Sequence, residues 1–314
     1  MKIAISGATG FIGKKLVAHY EKEGATIHVL SRKNSLNANN FIRTFNLDLA
    51  SCHSEKLIPF LDGCDVFYHC AGEIRNEAMM GAVHVQGSLR LIEAASNRIG
   101  RWVQLSSVGV YGRQCSGIVT EETPVNPMGV YEITKMQSDN LVMNAGERGA
   151  FEWSILRPSN VYGANMTNRS LFALIEMIRR HRFFFIGKPG ASANYIHVDN
   201  VVNALLDCGR QSNANRQVLN LSDHRTIEEF VGTIAKELGI NVPWLRVPES
   251  VLTQITNLLE SLPKFPLTVA RVEALTGRAV YSTDKIEKLL GYQHEVTMES
   301  GVTELTKYWL SSNA

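Results

Sequence analysis

Short apolar runs alternate with longer amphipathic stretches through the first half of the chain. The short runs have few polar interruptions and predict buried strands at residues 2–6, 26–31, 41–46, 65–70 and 101–106. The longer stretches repeat apolar residues every three or four positions and predict helices at residues 13–23 and 79–98. Strands that are apolar on both faces and alternate with helices indicate an α/β fold with a doubly wound parallel sheet.

The pattern changes after about residue 158, where helices and loops dominate. Residues 154–156 and 217–221 read as further strands of the sheet, and helices are predicted at residues 170–180, 227–238 and 249–261. The last helix has a continuous apolar face, which indicates core packing, with a membrane surface or a partner helix as the alternative. Because no Gly/Ser-rich linker separates the halves, we expect a sheet domain (1–157, with 190–222 returning to it) and a smaller, interleaved C-terminal substrate lobe (158–189 and 223–314).

Composition and charge exclude several protein classes. The 314 residues are 45% hydrophobic and 20% charged with a net charge of +2, which is ordinary for a globular enzyme and too mild for a nucleic-acid partner. No apolar stretch reaches 18 residues, and the N-terminal apolar run stops at Ile5, so neither a membrane span nor a signal peptide is expected. The five scattered cysteines indicate reduced thiols in a cytoplasmic protein and no metal site.

The glycines that follow the first predicted strand indicate a dinucleotide-binding loop. In Ser6-Gly-Ala-Thr-Gly-Phe-Ile-Gly13, Gly7 permits a tight turn, Gly10 lets a pyrophosphate approach the backbone, and Gly13 allows the helix to pack on the strand. Free N–H groups and the positive end of the helix then face the phosphates. This strand–loop–helix context predicts a Rossmann fold.

The end of the second predicted strand favours NADP over NAD. NAD-preferring sites place a carboxylate there to hold the ribose diol, whereas this chain has Ser31-Arg32-Lys33. The Arg32 guanidinium, helped by Ser31, offers forked donors to a 2′-phosphate. A solvated basic turn is the alternative, and NAD remains a possible cofactor.

Tyr131 and Lys135 are the candidate chemical centre. Residues four apart on a helix share a face, so the phenol and the ammonium are expected side by side. A tyrosine normally has a pKa near ~10, and a neighbouring cation lowers that pKa toward the working range. Ser107, just after the predicted strand 101–106, can bind the reacting oxygen; the alternative is an unconnected surface pair.

Taken together, these motifs resemble the extended short-chain dehydrogenases/reductases of the NAD(P)-dependent sugar epimerase/dehydratase group. Further matching segments span nearly the whole chain, at residues 46–49, 66–72, 106–112, 157–163, 195–201 and 285–292. The resemblance implies Tyr131 as general acid/base, Ser107 as the group that binds the substrate oxygen, and Lys135 as the residue that holds the nicotinamide ribose and lowers the tyrosine pKa. It also implies a homodimer formed by helices 79–98 and 131–146.

The motifs and the resemblance give two sets of binding residues. The expected cofactor contacts are Gly7, Thr9, Gly10, Phe11, Ile12, Gly13, Ser31, Arg32, Asp48, Leu49, Cys70, Ala71, Gly72, Ser106, Tyr131, Lys135 and Pro158. The expected substrate contacts are Ser107, Val108, Asn160, His84 and Arg271.

The chain departs from the family pattern at three places. His84 replaces the usual asparagine; it reads as a packed helix histidine or as part of a proton path. Ala193-Asn194 replaces the Arg-Asp pair that meets a diphosphate, leaving as candidates Arg169, Arg179, Arg180, Arg182, Lys188 and Arg271, each also consistent with a solvated surface charge. Val108-Gly109 replaces the Asp-Glu pair of the sugar 4,6-dehydratases, so that activity is not expected.

Three functions follow in order of preference. The first is an NADP-dependent reductase or epimerase of a nucleotide-activated keto-sugar. The second is a 3β-hydroxysteroid-dehydrogenase-like or flavonol-reductase-like enzyme on an apolar ketone or alcohol, favoured by the missing arginine, the His197-Val-Asp-Asn200 variant and the apolar helix 249–261. The third is a cofactor-sensing binding protein, against which Ser107, Tyr131 and Lys135 argue.

Overall fold

The computed structural model describes residues 1–32, 40–252, 254 and 275–313 of the chain. The strands in this part are β1 (Lys2–Ser6), β2 (Thr26–Ser31), β3 (Ile42–Asn46), β4 (Cys64–His69), β5 (Ile99–Leu105), β6 (Ser116–Val119), β7 (Glu152–Pro158), β8 (Asn160–Tyr162), β9 (Phe185–Ile186), β10 (Ser192–His197), β11 (Gln217–Leu221), β12 (Asp223–Thr226), β13 (Arg246–Val247) and β14 (Arg278–Tyr281).

The α-helices in the same residues are α1 (Phe11–Lys22), α2 (Ile58–Leu61), α3 (Glu77–Met80), α4 (Gly87–Ala95), α5 (Val130–Glu147), α6 (Ser170–Arg179), α7 (Val198–Arg210), α8 (Ile227–Glu237), α9 (Asp284–Leu290) and α10 (Met298–Asn313). A π-helical segment, Gly81–Gln86, joins α3 to α4 without a break, and 3₁₀ helices lie at Ser54–Leu57, Val108–Tyr111 and Ser212–Ala214. None of the described helices has the length and apolar content needed to cross a lipid bilayer.

A parallel sheet of seven strands forms the centre of the molecule. Its strand order is β11-β7-β5-β4-β1-β2-β3, and every neighbouring pair is parallel. The order reverses at β1, which pairs with β2 on one side and with β4 on the other. In a doubly wound sheet such a reversal opens a crevice at the carboxyl ends of the two central strands, and ligands bind there.

Both faces of the sheet are covered, which explains why its strands are apolar on both sides. Ile3 and Ile5 of β1 belong to the core beneath α1 and α7, whereas Ala4 belongs to the core beneath α2, α4 and α5. Successive side chains of a strand point to opposite faces, so each face receives alternate residues. The fold class predicted from the sequence is confirmed.

The C-terminal part forms a smaller, interleaved lobe with its own core. Helices α6, α8 and α10 pack with the three-stranded sheet β12-β10-β8 around a cluster that includes Ile175, Phe230 and Val302. Between these elements the chain returns to the large sheet through α7 and β11. Two further parallel strand pairs, β6–β14 and β9–β13, are separate from these two sheets.

Several elements differ from the sequence prediction. The predicted helix 79–98 is a composite of α3, the π-helical segment and α4, and α7 was not predicted. The predicted helix 249–261 lies largely outside the described residues.

Candidate active site

A first cavity, of about 220 Å³, lies at the carboxyl ends of the central strands. It is lined by Gly7, Thr9, Gly10, Leu30, Ser31, Arg32, Leu47, Asp48, Leu49, Cys70, Ala71, Gly72, Glu73 and Val83. We call it the cofactor cavity, because its walls carry most of the residues expected to bind a dinucleotide.

The glycine loop is shaped by close backbone contacts. Gly7 has φ of +69°, and a Cβ there would lie 2.6 Å from backbone atoms of Cys70 and Ala71. A Cβ on Gly13 would overlap the Gly7 carbonyl group, so α1 sits against the loop as closely as glycine allows. The Gly10 N–H donates to the Gly7 carbonyl oxygen at 2.9 Å and closes the turn.

The start of α1 is open to an anion. Gly10 is its N-cap residue and has no side chain to cap the helix, and the first turn contains no acidic residue. The unpaired N–H groups and the positive end of the helix dipole therefore face the glycine loop. With the glycine cradle, this arrangement fits the pyrophosphate of a dinucleotide.

The cofactor cavity contains ten of the predicted cofactor residues, namely Gly7, Thr9, Gly10, Ser31, Arg32, Asp48, Leu49, Cys70, Ala71 and Gly72. The remaining ones lie outside its lining: Phe11, Ile12, Gly13, Ser106, Tyr131, Lys135 and Pro158. Sequence reasoning missed Leu30, Leu47, Glu73 and Val83. The first three of these are adjacent in sequence to predicted contacts, so their position was the available signal.

A second cavity, of about 630 Å³, lies between the sheet domain and the smaller lobe. It is lined by Ser107, Val108, Gly109, Gly112, Arg113, Gln114, Cys115, Tyr131, Glu132, Ser159, Asn160, Ser192, Ala193, Asn194, Tyr195, Ile227, Leu275, Gly277, Ala279 and Tyr281. We call it the substrate cavity. The predicted substrate residues Ser107, Val108 and Asn160 lie in its wall, whereas Arg271 lies outside the described residues.

Tyr131 is placed by the start of α5. The Glu132 carboxylate accepts the backbone N–H groups of Met128 and Gly129 at 2.9 and 3.0 Å, which fixes the first turn. Burial raises the pKa of Tyr131 to about 12; the nearby charge of Asp139 adds to the rise, and the Ser107 side chain opposes it. This direction is opposite to the one expected from a neighbouring lysine, so the phenol is uncharged at neutral pH.

Lys135 is buried beneath the site and donates to the Leu105 carbonyl oxygen at 2.6 Å. Burial lowers the pKa of this amine, and the carboxylate of Asp139 opposes the lowering. The ammonium is therefore held at the end of β5 by a backbone acceptor and by a nearby anion. Sequence reasoning did not select Asp139, although its position four residues after Lys135 was a signal of a shared helix face.

His84 connects the two cavities and does not line the substrate cavity, so its role as a substrate contact stays a prediction. Its Nε2 accepts the Glu73 N–H at 2.8 Å, so Nδ1 carries the proton and donates to the Thr134 hydroxyl at 2.8 Å. The ring also meets the Tyr131 ring edge to face, with centroids 5.7 Å apart. Burial, with the charge of Lys135, lowers the pKa of His84 to about 4, so the ring is neutral.

The wall of the substrate cavity contributed by β8 and β10 has polar atoms without partners. Asn160 Nδ2 donates to the Asn194 carbonyl at 3.2 Å, and Asn194 Nδ2 donates to the Ala279 carbonyl at 2.8 Å. The Asn194 Oδ1 and Ser159 Oγ atoms are buried and have no hydrogen-bond partner among the described residues. A buried unpaired acceptor is costly unless a ligand satisfies it.

The basic residues considered for a diphosphate do not gather at this cavity. Arg179 and Arg180 both pair with Glu176 on α6. Within the described part of the lining, Arg113 is the only lysine or arginine.

Comparison with known proteins agrees with this geometry. Residues 3–222 match the model of the NAD dependent epimerase/dehydratase family. The chain is 27% identical to the 4-hydroxy-2-methyl-3-oxo-4-farnesyl-3,4-dihydroquinoline-1-oxide ketoreductase of Stigmatella aurantiaca, with 97% of this chain and 96% of that protein covered. It is 24% identical to the decarboxylating sterol-4-alpha-carboxylate 3-dehydrogenase of Mus musculus, with 96% and 89% covered.

Solved structures share the fold. The UDP-glucuronic acid 4-epimerase of Bacillus cereus in complex with NAD superposes with a TM-score of 0.77 at 19% identity, and both chains are covered completely. At this identity the likeness concerns the fold alone.

Proposed function

Because the chain belongs to the NAD-dependent epimerase/dehydratase family of extended short-chain dehydrogenases/reductases, we propose that it transfers a hydride between a nicotinamide cofactor and a substrate carbon that bears a keto or hydroxyl group. The observation that carries this proposal is the placement of Tyr131 and Ser107 together in the wall of the substrate cavity. The Tyr131 ring contacts His84, which in turn binds the loop that lines the cofactor cavity.

Each residue of the site has its own role in the proposed reaction. The glycine loop and the start of α1 would hold the cofactor pyrophosphate, and the family resemblance gives Lys135 the role of holding the nicotinamide ribose. The cofactor, when bound, supplies or accepts the hydride. Tyr131 is a phenol at neutral pH, since burial raises its pKa to about 12, so it can donate a proton to a carbonyl oxygen that Ser107 also binds. A phenol is the form of Tyr131 that ketone reduction requires.

NADP is the cofactor that we propose. Ser31 and Arg32 both line the cofactor cavity at the end of β2, where their donors can meet a 2′-phosphate. Cells keep NADPH as a pool of reductant, and this also suits a reductase. The five cysteines, all free thiols, support a cytoplasmic location.

An uncharged, largely apolar ketone or alcohol is the substrate class that the geometry supports best. Arg113 is the only lysine or arginine in the described part of the cavity lining, so the cavity offers little positive charge to pair with a diphosphate. Ala193 and Asn194, which stand where the family pattern has Arg-Asp, line the cavity without adding charge. The ketoreductase and the sterol dehydrogenase among the relatives support this class.

A nucleotide-sugar is the second candidate. It is favoured by the family motifs and by solved structures of similar fold, one of which is described as a complex with UDP-glucuronic acid and NAD. In that case Arg113 is the described residue of the cavity that would meet the diphosphate.

The acid/base role is tested with Tyr131→Phe. We expect the variant to bind NADPH as the parent does and to lose activity by about 10²–10⁴-fold, the range attributed to general acid catalysis. Tyr281→Phe is the matched control, because Tyr281 lines the same cavity and should retain activity. A Tyr131→Phe enzyme with parental turnover would remove the phenol from the reaction.

The substrate class is tested by a thermal-shift screen with NADPH or NADH present. The probes are UDP-glucose, UDP and a set of steroid and isoprenoid ketones. We expect the ketones to raise the Tm and to be reduced, with NADPH preferred. A Tm rise with UDP and UDP-glucose alone would instead establish the nucleotide-sugar candidate.

A further inference from the structure

A fully buried carboxylate lies behind the proposed acid/base pair. Asp139 follows Lys135 by one helical turn and Tyr131 by two, so the three residues share one face of α5. Its Oδ2 accepts the Ser106 hydroxyl at 2.7 Å and the Arg157 guanidinium at 3.3 Å through both Nε and Nη2. The other oxygen, Oδ1, is buried and has no partner among the described residues.

Arg157 is held rigidly on β7. Its Nη1 donates to the Tyr111 hydroxyl at 3.1 Å, and its guanidinium carbon lies 5.1 Å from the centre of the Tyr111 ring. The Tyr111 hydroxyl in turn donates to Asn220 Oδ1 at 2.9 Å. The Asp139–Arg157 ion pair therefore has a fixed geometry in a region closed to solvent.

The buried charges beside Tyr131 do not balance without Asp139. Lys135 and Arg157 are cations that are only 4% and 5% exposed, and Asp139 is the carboxylate that lies near both. Without an anion, two cations in one buried site would repel each other. This repulsion favours loss of a proton from whichever of the two groups can release one. Lysine is that group, because arginine stays protonated in proteins.

The other ionisable groups around the site add little charge. Burial lowers the pKa of His69 and His84, so both rings are neutral, and burial raises the pKa of the Cys70 thiol to about 12. Burial also raises the pKa of Tyr111. Glu132 lies at the open end of α5, where it caps the helix. Burial raises the pKa of Asp139 itself, and the charges of Arg157 and Lys135 and the hydrogen bond from Ser106 oppose the rise. Asp139 is thus the carboxylate enclosed with the pair, and its ion pair with Arg157 favours the charged form.

We propose that Asp139 is a positioning residue that keeps the Tyr131–Lys135 pair fully protonated at neutral pH, with the lysine as ammonium and the tyrosine as phenol. Its negative charge stabilises the ammonium and disfavours the phenolate. The proposal rests on the proposed function, because the proton in question is the one that Tyr131 gives to the substrate oxygen. It explains how a buried, charged lysine and an uncharged tyrosine share one face of α5.

The test is the titration of the pair in the full chain without ligand. Tyrosine is labelled with ¹³C at Cζ and lysine at Cε, and the NMR signals are assigned with Tyr131→Phe and Lys135→Met. Because the groups are coupled, the quantity measured is the pH at which the pair loses its first proton. In Asp139→Asn we expect this pH to fall by at least about one unit, a tenfold change in the proton equilibrium.

The variant is chosen to change charge and little else. The asparagine oxygen can still accept from Ser106 and Arg157, while its amide takes the place of the unpaired Oδ1. Asp139→Glu should return the titration toward that of the parent. Asp199→Asn, at a partly exposed carboxylate paired with Lys15, is the control and should leave the titration unchanged.

An unchanged or raised titration in Asp139→Asn overturns the proposal. If that variant does not fold, Asp139→Ser removes the same negative charge in a smaller side chain and leaves Arg157 in place, and the first proton should again leave at a lower pH than in the parent. The titration uses neither substrate nor cofactor, so its outcome does not depend on the activity measured for Tyr131→Phe. If Tyr131→Phe loses activity while the titration of Asp139→Asn matches that of the parent, the proposed role of Asp139 is refuted and the proposed role of Tyr131 is not affected.

Discussion

At the residue scale, His84 shows how one neutral ring fixes both halves of the site. It accepts from the loop after β4 and donates to Thr134 in the first turns of α5. Protonation of His84 would put an N–H group at Nε2, facing the Glu73 N–H, and would add a positive charge near Lys135. The histidine therefore works as a structural link only while it is neutral.

This arrangement makes folding stability depend on the protonation of His84. Burial lowers its pKa to about 4 in the folded chain, whereas an unfolded histidine titrates near ~6.5. Between these two pH values the unfolded state thus binds more protons than the folded state. The stabilisation that neutral His84 gives to the folded state is present above pH ~6.5 and is lost as the pH falls toward 4. We expect the Tm of the parent to fall across this window more steeply than that of His84→Gln.

The measurement is a series of thermal melts between pH 4 and 7 at constant ionic strength. His53→Gln is the matched control, because His53 precedes the 3₁₀ helix Ser54–Leu57 away from both cavities. Equal slopes for the parent and His84→Gln would contradict the assignment of the neutral ring.

At the element scale, the glycine loop and the helix behind Tyr131 differ in how far the sequence reveals them. The glycine loop is formed by residues that are close in sequence, so the spacing of its glycines predicted both the turn at Gly7 and the close packing at Gly13. The π-helical segment Gly81–Gln86 leaves the apolar pattern of a helix in place, so residues 79–98 read as one regular helix. The fold followed from such local patterns.

The polar connections of the site were harder to foresee. The partners of Asp139 come from the end of β5 and from β7, and the partners of His84 come from a loop and from α5. Their sequence separations range from 11 to 50 residues. Only the folded chain shows which of the many polar side chains meet, and burial then reverses the expected pKa direction of Tyr131.

Two helix glycines test the packing argument. In Gly13→Ala the new methyl group would overlap the Gly7 carbonyl, so α1 must shift, and we expect a loss of about 1–3 kcal/mol in the free energy of unfolding. In Gly232→Ala, within α8, the methyl meets no atom within 4 Å, and we expect a gain of about 0.5–1 kcal/mol. Denaturant titration measures both, and a stabilised Gly13→Ala would refute the close contact.

At the scale of the whole molecule, the helices behind the site present apolar side chains to solvent. Met79 on α3, Leu89 on α4 and Ile133 on α5 are exposed in the single chain. Helix α5 also holds Tyr131 and Lys135, and the π-helical segment between α3 and α4 holds His84, so a partner packed against this surface would stabilise the site. The homodimer predicted from the family resemblance would cover this surface, and the domain limits proposed at residues 157–158 and 222–223 leave it entirely in the sheet domain.

We therefore expect the purified chain to sediment as a dimer of about 70 kDa, twice the 34.9 kDa of one chain. The double variant Leu89→Glu/Ile133→Glu places charges in the covered apolar surface, where an unpaired charge is costly, and should shift the mass to that of one chain. Met177→Glu changes an exposed apolar residue of α6 in the smaller lobe and should leave the mass unchanged. Analytical ultracentrifugation distinguishes the cases. A parent that sediments as one chain, or a double variant that remains a dimer, would show that the α3–α5 surface does not join two copies.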